Sequence, residues 1–378
     1  MSAPRLTHLL RSTPAFKEPD GLHIIDEMVR TAVSHAANVS LSDSAWQQAS
    51  LPIRFGGLGV RRVADLALPC FISSLQASLP LVHEICPQLA RGQRPVSLNS
   101  ALDSFSARCG PSVDLNTLPP ASQRAWDSAA SETSLAHLLE TANQRDRARL
   151  LAASQPHSGA WLQAVPVGSL GLLLDNETVR VAVALRLGAS ICTPHPCRCG
   201  RTMDHLGHHG LSCRYNTGRL PRHAHLNDVV KRGLASAGVP SILEPVGLDR
   251  GDGRRPDGLT VFPFDEGRCV IWDATCVDTF SSSALIDSAT EPGAAARAAE
   301  ERKRRRYADL AQRYRFVPLA VETSGVLGPA CADFLQELGH RISACTGDPR
   351  ESAWIRQRIS LAIARGNALA ILHSSRRD

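Results

Sequence analysis

Lysine is nearly absent from a chain that is otherwise rich in basic residues. Of its 378 residues, 42 are Lys or Arg, and the lysines are only Lys17, Lys231 and Lys303. A basic position in this chain is therefore almost always arginine. Lysine is thus rare in this chain, and a charged residue is also rare on the core-facing side of a helix. A lysine in such a position is therefore a candidate for a specific chemical role.

Aromatic residues are also scarce, at 4% of the chain, so platforms for stacking nucleic-acid bases would be few. No run approaches the roughly 18 apolar residues of a membrane span, and no signal-peptide hydrophobic region follows Met1. We therefore expect an intracellular protein without a membrane partner. In that compartment the eleven cysteines are expected to be thiols or metal ligands rather than disulfides. The net charge of +6 fits nucleic acid, an acidic partner or neither.

The length predicts two or three domains rather than one. Apolar residues recur at helical spacing in the first part of the chain, and the pattern changes near residue 191, where Cys and His cluster. Strand-like and helical patterns alternate after the cluster, which indicates an α/β domain. We predict a helical region over 1–90, a helical connector over 91–190, a Cys/His segment over 191–220, an α/β domain over 221–348 and a C-terminal helix over 349–378.

Within and after the predicted α/β domain, the pattern is specific enough to place individual elements. The predicted helices lie at about 222–237, 293–314, 328–343 and 351–372. The predicted strands lie at 242–247, 257–264, 268–277 and 315–322.

The Cys/His cluster has the spacing of a structural zinc site. Its predicted ligands are Cys197, Cys199, His208 and Cys213, with Cys192, His195, His205 and His209 as spare donors. Three thiolates and one imidazole satisfy tetrahedral zinc and leave no open position for a substrate. The alternative is that these cysteines lie near a histidine by chance.

Two carboxylates have the spacing of a metal-dependent nuclease. Pro256-Asp257 precedes one predicted strand, and Asp273 lies sixteen residues later in the next strand. A hairpin would bring both to one side of a two-stranded ribbon, where they could hold Mg²⁺. The usual lysine two positions after the second acid is absent, because position 275 is Thr.

Lys303 is the candidate replacement. It lies at the centre of a stripe on the predicted helix, formed with Ala296, Ala299, Tyr307, Leu310 and Tyr314. The alternative is a lysine at the domain edge with only its stem packed.

Several other charged residues flank these positions. Glu244 and Glu322 could supply further acids to the metal, although a solvated strand-end carboxylate is the more common case. His223 and His225 are interpreted as surface or phosphate-contacting residues. The candidates for nucleic-acid contact are Arg254, Arg255, Arg302, Arg304 and Arg305.

A knuckle followed by Pro-Asp, Asp and a helix-borne lysine resembles the carboxyl end of site-specific non-LTR retrotransposon reverse transcriptase proteins. Two N-terminal stretches, Leu9–Pro14 and Trp46–Gly59, resemble the thumb region of such a protein and the segment after it. The resemblance implies a helical region, a CCHC zinc knuckle and a PD-(D/E)XK restriction-enzyme-like α/β nuclease. Its metal-binding acids would be Asp257 and Asp273, and its helix-borne lysine would be Lys303.

In that family the endonuclease nicks one strand of target DNA, and the freed 3′ hydroxyl primes reverse transcription. The resemblance thus implies structural Zn²⁺, catalytic Mg²⁺, DNA and possibly element RNA as partners, and a nuclear location. Polymerase activity is not expected from this chain, because no adjacent Asp-Asp pair is present. A nucleic-acid-binding remnant without catalysis and a zinc-stapled helical scaffold remain the alternatives.

Overall fold

The chain divides into two units, Met1–Thr141 and Ala142–Asp378. A computed structural model describes residues 3–90, 95–111, 113–248 and 255–374. The division falls inside the connector that the sequence predicted over 91–190, so that segment is not a unit of its own. The first helices of that segment pack with the N-terminal helices, and its later helices pack with helices of the second unit.

In the described residues, the first unit is built from α-helices and short 3₁₀ turns. The helices are α1 (Ala3–Ser12), α2 (Pro19–Ala37), α3 (Asp43–Ala49), α4 (Val63–Ile85), α5 (Pro87–Ala90), α6 (Val96–Cys109) and α7 (Gln123–Thr141). Helix α4 packs against α1, α2, α6 and α7. Its first turn is fixed by the buried Asp26, whose carboxylate accepts the backbone N–H groups of Val63 at 2.7 Å and Ala64 at 3.2 Å.

Helix α4 is the one helix of the described residues that is long and apolar enough to cross a membrane. Its N-terminal half is buried among the other helices of this unit, with Phe71 and Ile72 in the core. A buried core helix passes the same test of length and composition. The structure therefore gives no indication of a transmembrane protein.

The second unit combines helices with two small sheets. Its helices are α8 (Gln144–Ala153), α9 (Asn176–Leu187), α10 (His208–Ser212), α11 (Arg219–Ser236), α12 (Leu285–Thr290), α13 (Ala294–Arg306), α14 (Pro329–Thr346) and α15 (Glu351–Leu372). Its strands are β1 (His195–Pro196), β2 (Thr202–Met203), β3 (Ser241–Leu243), β4 (Gly258–Thr260), β5 (Val270–Val277) and β6 (Arg315–Glu322). Every helix and strand predicted after residue 221 is present, although β3 and β4 are shorter than predicted and α13 ends at Arg306. The fold is thus mixed, mainly helical with small sheets.

The larger sheet has the strand order β3-β4-β5-β6. The first three strands pair antiparallel, and Asp265 bridges Arg268 in the predicted turn between β4 and β5. Strand β6 returns parallel to β5, with Asp273 opposite Pro318. Such a connection needs a crossover, which α12 and α13 provide.

Helices cover both faces of this sheet. On one face, α11, α14 and α15 bury a large apolar core around Trp272 and Ala274. On the other face, α13 packs through small residues, with Ala296 and Ala299 against Ala320 of β6. The small side chains allow α13 to lie close to the strands.

Two buried glutamates fix the helices around β6. Glu322, at the end of β6, accepts the backbone N–H of Ala296 at 3.1 Å and the Thr279 hydroxyl at 3.0 Å. Glu300, on α13, accepts the backbone N–H groups of Ala330 and Cys331, both at 3.1 Å. Each carboxylate therefore satisfies amides in the first turn of a helix that would otherwise be buried without acceptors. Burial raises the pKa of Glu322 and of Glu300, and these amides oppose the shift.

We predict that Glu322→Ala destabilises the second unit by about 3 kcal/mol, because it leaves the Ala296 amide and the Thr279 hydroxyl buried without their acceptor. Glu322→Gln should cost about 1 kcal/mol or less, because a carboxamide still accepts the Ala296 amide, and the hydroxyls of Thr279 and Ser324, which also contact this carboxylate, can rotate. Thermal unfolding together with hydrogen exchange of residues 294–306 would measure both effects. The control is Glu301→Ala, at an exposed position on α13. Equal stability of the Ala and Gln variants would contradict this role.

Candidate functional site

The Cys/His segment forms a compact group of four possible metal ligands. The hairpin of β1 and β2 carries Cys197 and Cys199 in its turn, where Gly200 has a φ of +87°. The short helix α10 contributes His209, and Cys213 follows directly after it. One ligand atom from each of the four side chains lies within 4.8 Å of every other.

The distances within this group fit zinc. The Sγ atoms of Cys197 and Cys213 are 3.7 Å apart, which matches the edge of a tetrahedron whose metal–sulfur bonds are about 2.3 Å. Cys199 Sγ lies 3.1 Å from His209 Nε2. The backbone N–H of Arg201, assisted by His209, lowers the pKa of Cys199 to about 6 and so favours the thiolate that binds metal.

The histidine that lies with the three cysteines is His209, whereas the sequence predicted His208 as the fourth ligand. The two residues are neighbours on one helical turn, so their side chains point in different directions and only one can face the cysteines. His208 is buried instead, and its ring stacks on Phe280 with centroids 4.2 Å apart. Burial lowers the pKa of His208 to about 4.

The structure brings Asp257, Asp273 and Lys303 together in a second cluster. Asp257 directly precedes β4, Asp273 lies within β5, and Lys303 lies on α13. Lys303 Nζ donates to Asp273 Oδ1 at 2.6 Å. The amide of Ala274 donates to Asp257 Oδ2 at 2.6 Å. Helix α13 thus places a lysine beside Asp273, where the strand itself has Thr275 in place of the usual lysine.

His223 joins the same cluster from α11. Its Nε2 lies 2.9 Å from Asp257 Oδ2, and ligand atoms of His223, Asp257 and Asp273 all lie within 4.8 Å of one another. The sequence interpretation of His223 as a surface or phosphate-contacting residue missed this contact. His225, two residues further on, is exposed as expected.

The two carboxyl groups are electrostatically distinct. Burial tends to raise the pKa of Asp257, but the bonds from His223 and the Ala274 amide outweigh it, and its pKa is lowered. Burial raises the pKa of Asp273, and the charge of Asp257 adds to that rise against the opposing effect of Lys303. Two carboxylates this close, one buried and one partly buried, repel each other, and a bound cation would relieve that repulsion.

The two further acids that the sequence raised as candidates lie outside this cluster. Glu322 is fully buried and holds α13, as described above. Glu244 is exposed, and its side chain pairs with Arg255. The backbone of Glu244 nevertheless bonds to Asp257, through an N–H···O contact of 2.8 Å.

The arginines that the sequence predicted as nucleic-acid contacts do not all have the same surroundings. Arg302 lines a groove of about 330 Å³, together with Arg219, Arg222, Asp278 and Asp287. Arg304 and Arg305 are exposed and pair with Glu301 on their own helix. Arg255 pairs with Glu244. Arg254 lies outside the described residues.

Comparison with known proteins finds a similarity that covers most of the chain. No family model matches the chain. The chain is 23% identical over 357 residues, or 92% of its length, to the Retrotransposable element SLACS 132 kDa protein of Trypanosoma brucei gambiense. The similarity supports a retrotransposon-related protein. The chain spans 26% of the length of that relative.

We predict that His209→Ala abolishes stoichiometric zinc binding, because it removes one of four ligands, whereas His208→Ala keeps the metal. His208→Ala should instead lower the melting temperature, because its ring packs on Phe280. Metal analysis of the purified variants, with Cys213→Ser as a second ligand variant, would measure the difference. Loss of zinc in His208→Ala with retention in His209→Ala would restore the sequence prediction.

Proposed function

We propose that the second unit contains a metal-dependent DNA endonuclease of the PD-(D/E)XK, restriction-enzyme-like type. The observation that carries the proposal is the convergence of Asp257, Asp273 and Lys303 where β4, β5 and α13 meet. Two carboxylates beside one ammonium group suit binding and cleavage of a phosphodiester.

In this proposal Asp257 and Asp273 would hold Mg²⁺, which would supply polarisation of the phosphate and a lower pKa for the attacking water. Lys303, which lies beside Asp273, would orient that water or neutralise the charge that develops on the phosphate. The water oxygen bonds to phosphorus, the bond to the 3′ oxygen breaks, and a proton passes to that leaving oxygen. The product carries the 3′ hydroxyl that a polymerase can extend.

The similarity to the SLACS protein supports a role for this nuclease in a retrotransposon. We propose that it nicks target DNA for target-primed reverse transcription in the nucleus, with element RNA as a further partner. The Cys197, Cys199, His209 and Cys213 group would hold Zn²⁺ and form a knuckle that binds nucleic acid. All four ligands come from the chain, so this zinc would be structural rather than catalytic.

A nucleic-acid-binding remnant without catalysis is the second candidate. It is favoured by the direct ion pair of Lys303 with Asp273, which neutralises one proposed metal ligand, and by Thr275 at the usual lysine position. The knuckle and the groove beside Arg302 would then bind nucleic acid through its phosphates alone.

We predict that the zinc-loaded chain nicks supercoiled plasmid in the presence of Mg²⁺ and not in EDTA. Asp257→Ala and Asp273→Ala should abolish nicking, and Lys303→Met should slow it by about 100-fold, since one charge-stabilising group is lost. The matched controls are Asp333→Ala and Lys231→Met, which change exposed residues of the same unit. A native chain that binds DNA but does not cut it would favour the nucleic-acid-binding remnant without catalysis.

We also predict that Arg302→Gln weakens DNA binding and reduces the slope of log affinity against log salt concentration by about 1. Arg302 lines the groove, so its loss removes one phosphate contact. Arg268→Gln is the matched control, because Arg268 is an exposed arginine of the same unit that pairs with Glu266 and does not line the groove. Fluorescence anisotropy titrations between low and moderate salt would give both slopes. Equal slopes for the two variants would place the DNA elsewhere.

A further inference from the structure

A chain of hydrogen bonds connects the buried core to the carboxylate cluster. Trp272 Nε1, on β5, donates to Asn227 Oδ1 at 2.9 Å. Asn227 Nδ2 lies 3.4 Å from His223 Nδ1, and His223 Nε2 lies 2.9 Å from Asp257 Oδ2. Asn227 and His223 are four residues apart on α11, so their side chains share one face of that helix. Trp272 is fully buried and Asn227 is 5% exposed.

The chemistry of the groups fixes the direction of every bond in this chain. An indole N–H can only donate, so the oxygen of Asn227 must face Trp272. The amide nitrogen of Asn227 then faces His223, and because an amide NH₂ can only donate, His223 Nδ1 must accept. The proton of the neutral ring therefore lies on Nε2, where it is donated to Asp257.

Trp272, at which this series of hydrogen bonds begins, is itself positioned by Gly258, the residue that follows Asp257. Gly258 pairs with Trp272 across β4 and β5, and a Cβ at Gly258 would lie 2.0 Å from the indole ring. A glycine is thus needed for the indole to lie across this strand. The position of the indole in turn places Asn227 and His223.

We propose that His223 is a positioning residue of the nuclease site, oriented by Asn227 and Trp272, which holds Asp257 in the rotamer that binds the cation. The proposal rests on the proposed function. His223 and the Ala274 amide both donate to the same oxygen, Asp257 Oδ2, which leaves Oδ1 as the oxygen available to a metal. Hydrogen bonds of this kind orient metal ligands in many proteins and commonly change metal affinity by 10- to 100-fold.

Direct ligation by His223 is the competing assignment, since its ring lies close enough to both carboxylates. Ligation through Nε2 would require the ring proton on Nδ1. That proton would point at the amide hydrogens of Asn227, and rotating the amide would set its NH₂ against the indole N–H of Trp272. The hydrogen-bond chain therefore favours a donor at Nε2 over a ligand.

The test measures Mn²⁺ binding to the full zinc-loaded chain by electron paramagnetic resonance, without DNA. We expect His223→Ala to weaken binding by about 10- to 100-fold. His223→Gln should recover most of that loss, because its amide nitrogen is a donor near the position of the ring Nε2. Asn227→Leu should weaken binding while leaving His223 in place. His225→Ala, at the exposed histidine on the same helix, should bind as the native chain does.

Two further measurements separate positioning from ligation and from misfolding. Long-range ¹H–¹⁵N spectra of the histidine rings should show the Nε2–H tautomer of His223 in the native chain. The Nδ1–H tautomer, or a Gln variant as weak as the Ala variant, would overturn the proposal in favour of a direct ligand. Melting temperatures and zinc contents equal to those of the native chain identify variants that are folded.

Plasmid nicking by the same proteins distinguishes failure of this proposal from failure of the proposed function. A native chain that nicks, with a folded His223→Ala variant that binds Mn²⁺ and nicks equally well, would overturn the positioning role alone. A native chain that shows the expected order of Mn²⁺ affinities but does not nick would support the positioning role and overturn the nuclease.

Discussion

The buried carboxylate of Glu322 is the constraint on which the architecture of the second unit depends. It ends β6 inside the protein, where no water can satisfy it, and it meets the first-turn amide of α13 at Ala296. That contact sets where α13 begins on the sheet and therefore which of its residues faces β5. Glu300, one turn further along α13, accepts the first-turn amides of α14 in the same way. Two buried carboxylates thus fix the positions of α13 and α14 on the sheet.

Lys303 reaches Asp273 because α13 is held in this way. From Ala296 to Lys303 is seven residues, or two helical turns, so both residues lie on the same face of the helix. Ala299 lies between them on that face and is small enough for the helix to stay close to the strands. A lysine at position 275 would have needed only the alternation of one strand. A lysine on a helix needs the helix to be anchored, and Glu322 provides the anchor.

This difference explains what the sequence could and could not predict. The helices and strands after residue 221 follow from local periodicity, and so does the core-facing stripe that singles out Lys303. The sequence also predicted the hairpin that places Asp257 beside Asp273. The division of the chain at Thr141 was not predictable, because it depends on which helices pack together, and helical periodicity does not record the partner of each helix.

The sequence predictions for His208 and His223 differ from the structure for a related reason. Choosing between His208 and His209 requires knowing where α10 begins, and a five-residue helix leaves almost no periodic signal. For Glu322, a strand-end position gave no indication that the carboxylate would be buried. The His223 contact could have been suspected from its spacing of four residues to Asn227, but its significance depends on Trp272, which lies 45 residues beyond Asn227. A contact between elements so far apart in sequence has no local signature.

The Cys/His group and the carboxylate cluster share one scaffold, so neither is an independent module. Helix α11 begins six residues after Cys213 and carries His223 within its first two turns. Where the chain joins these two parts, a Cβ at Gly218 would lie 2.6 Å from the backbone nitrogen of Ala370 on α15, so only glycine allows the close approach. Helix α15 packs against both α10 and α11. A metal held by Cys197, Cys199, His209 and Cys213 would therefore stabilise the start of the helix from which His223 reaches Asp257.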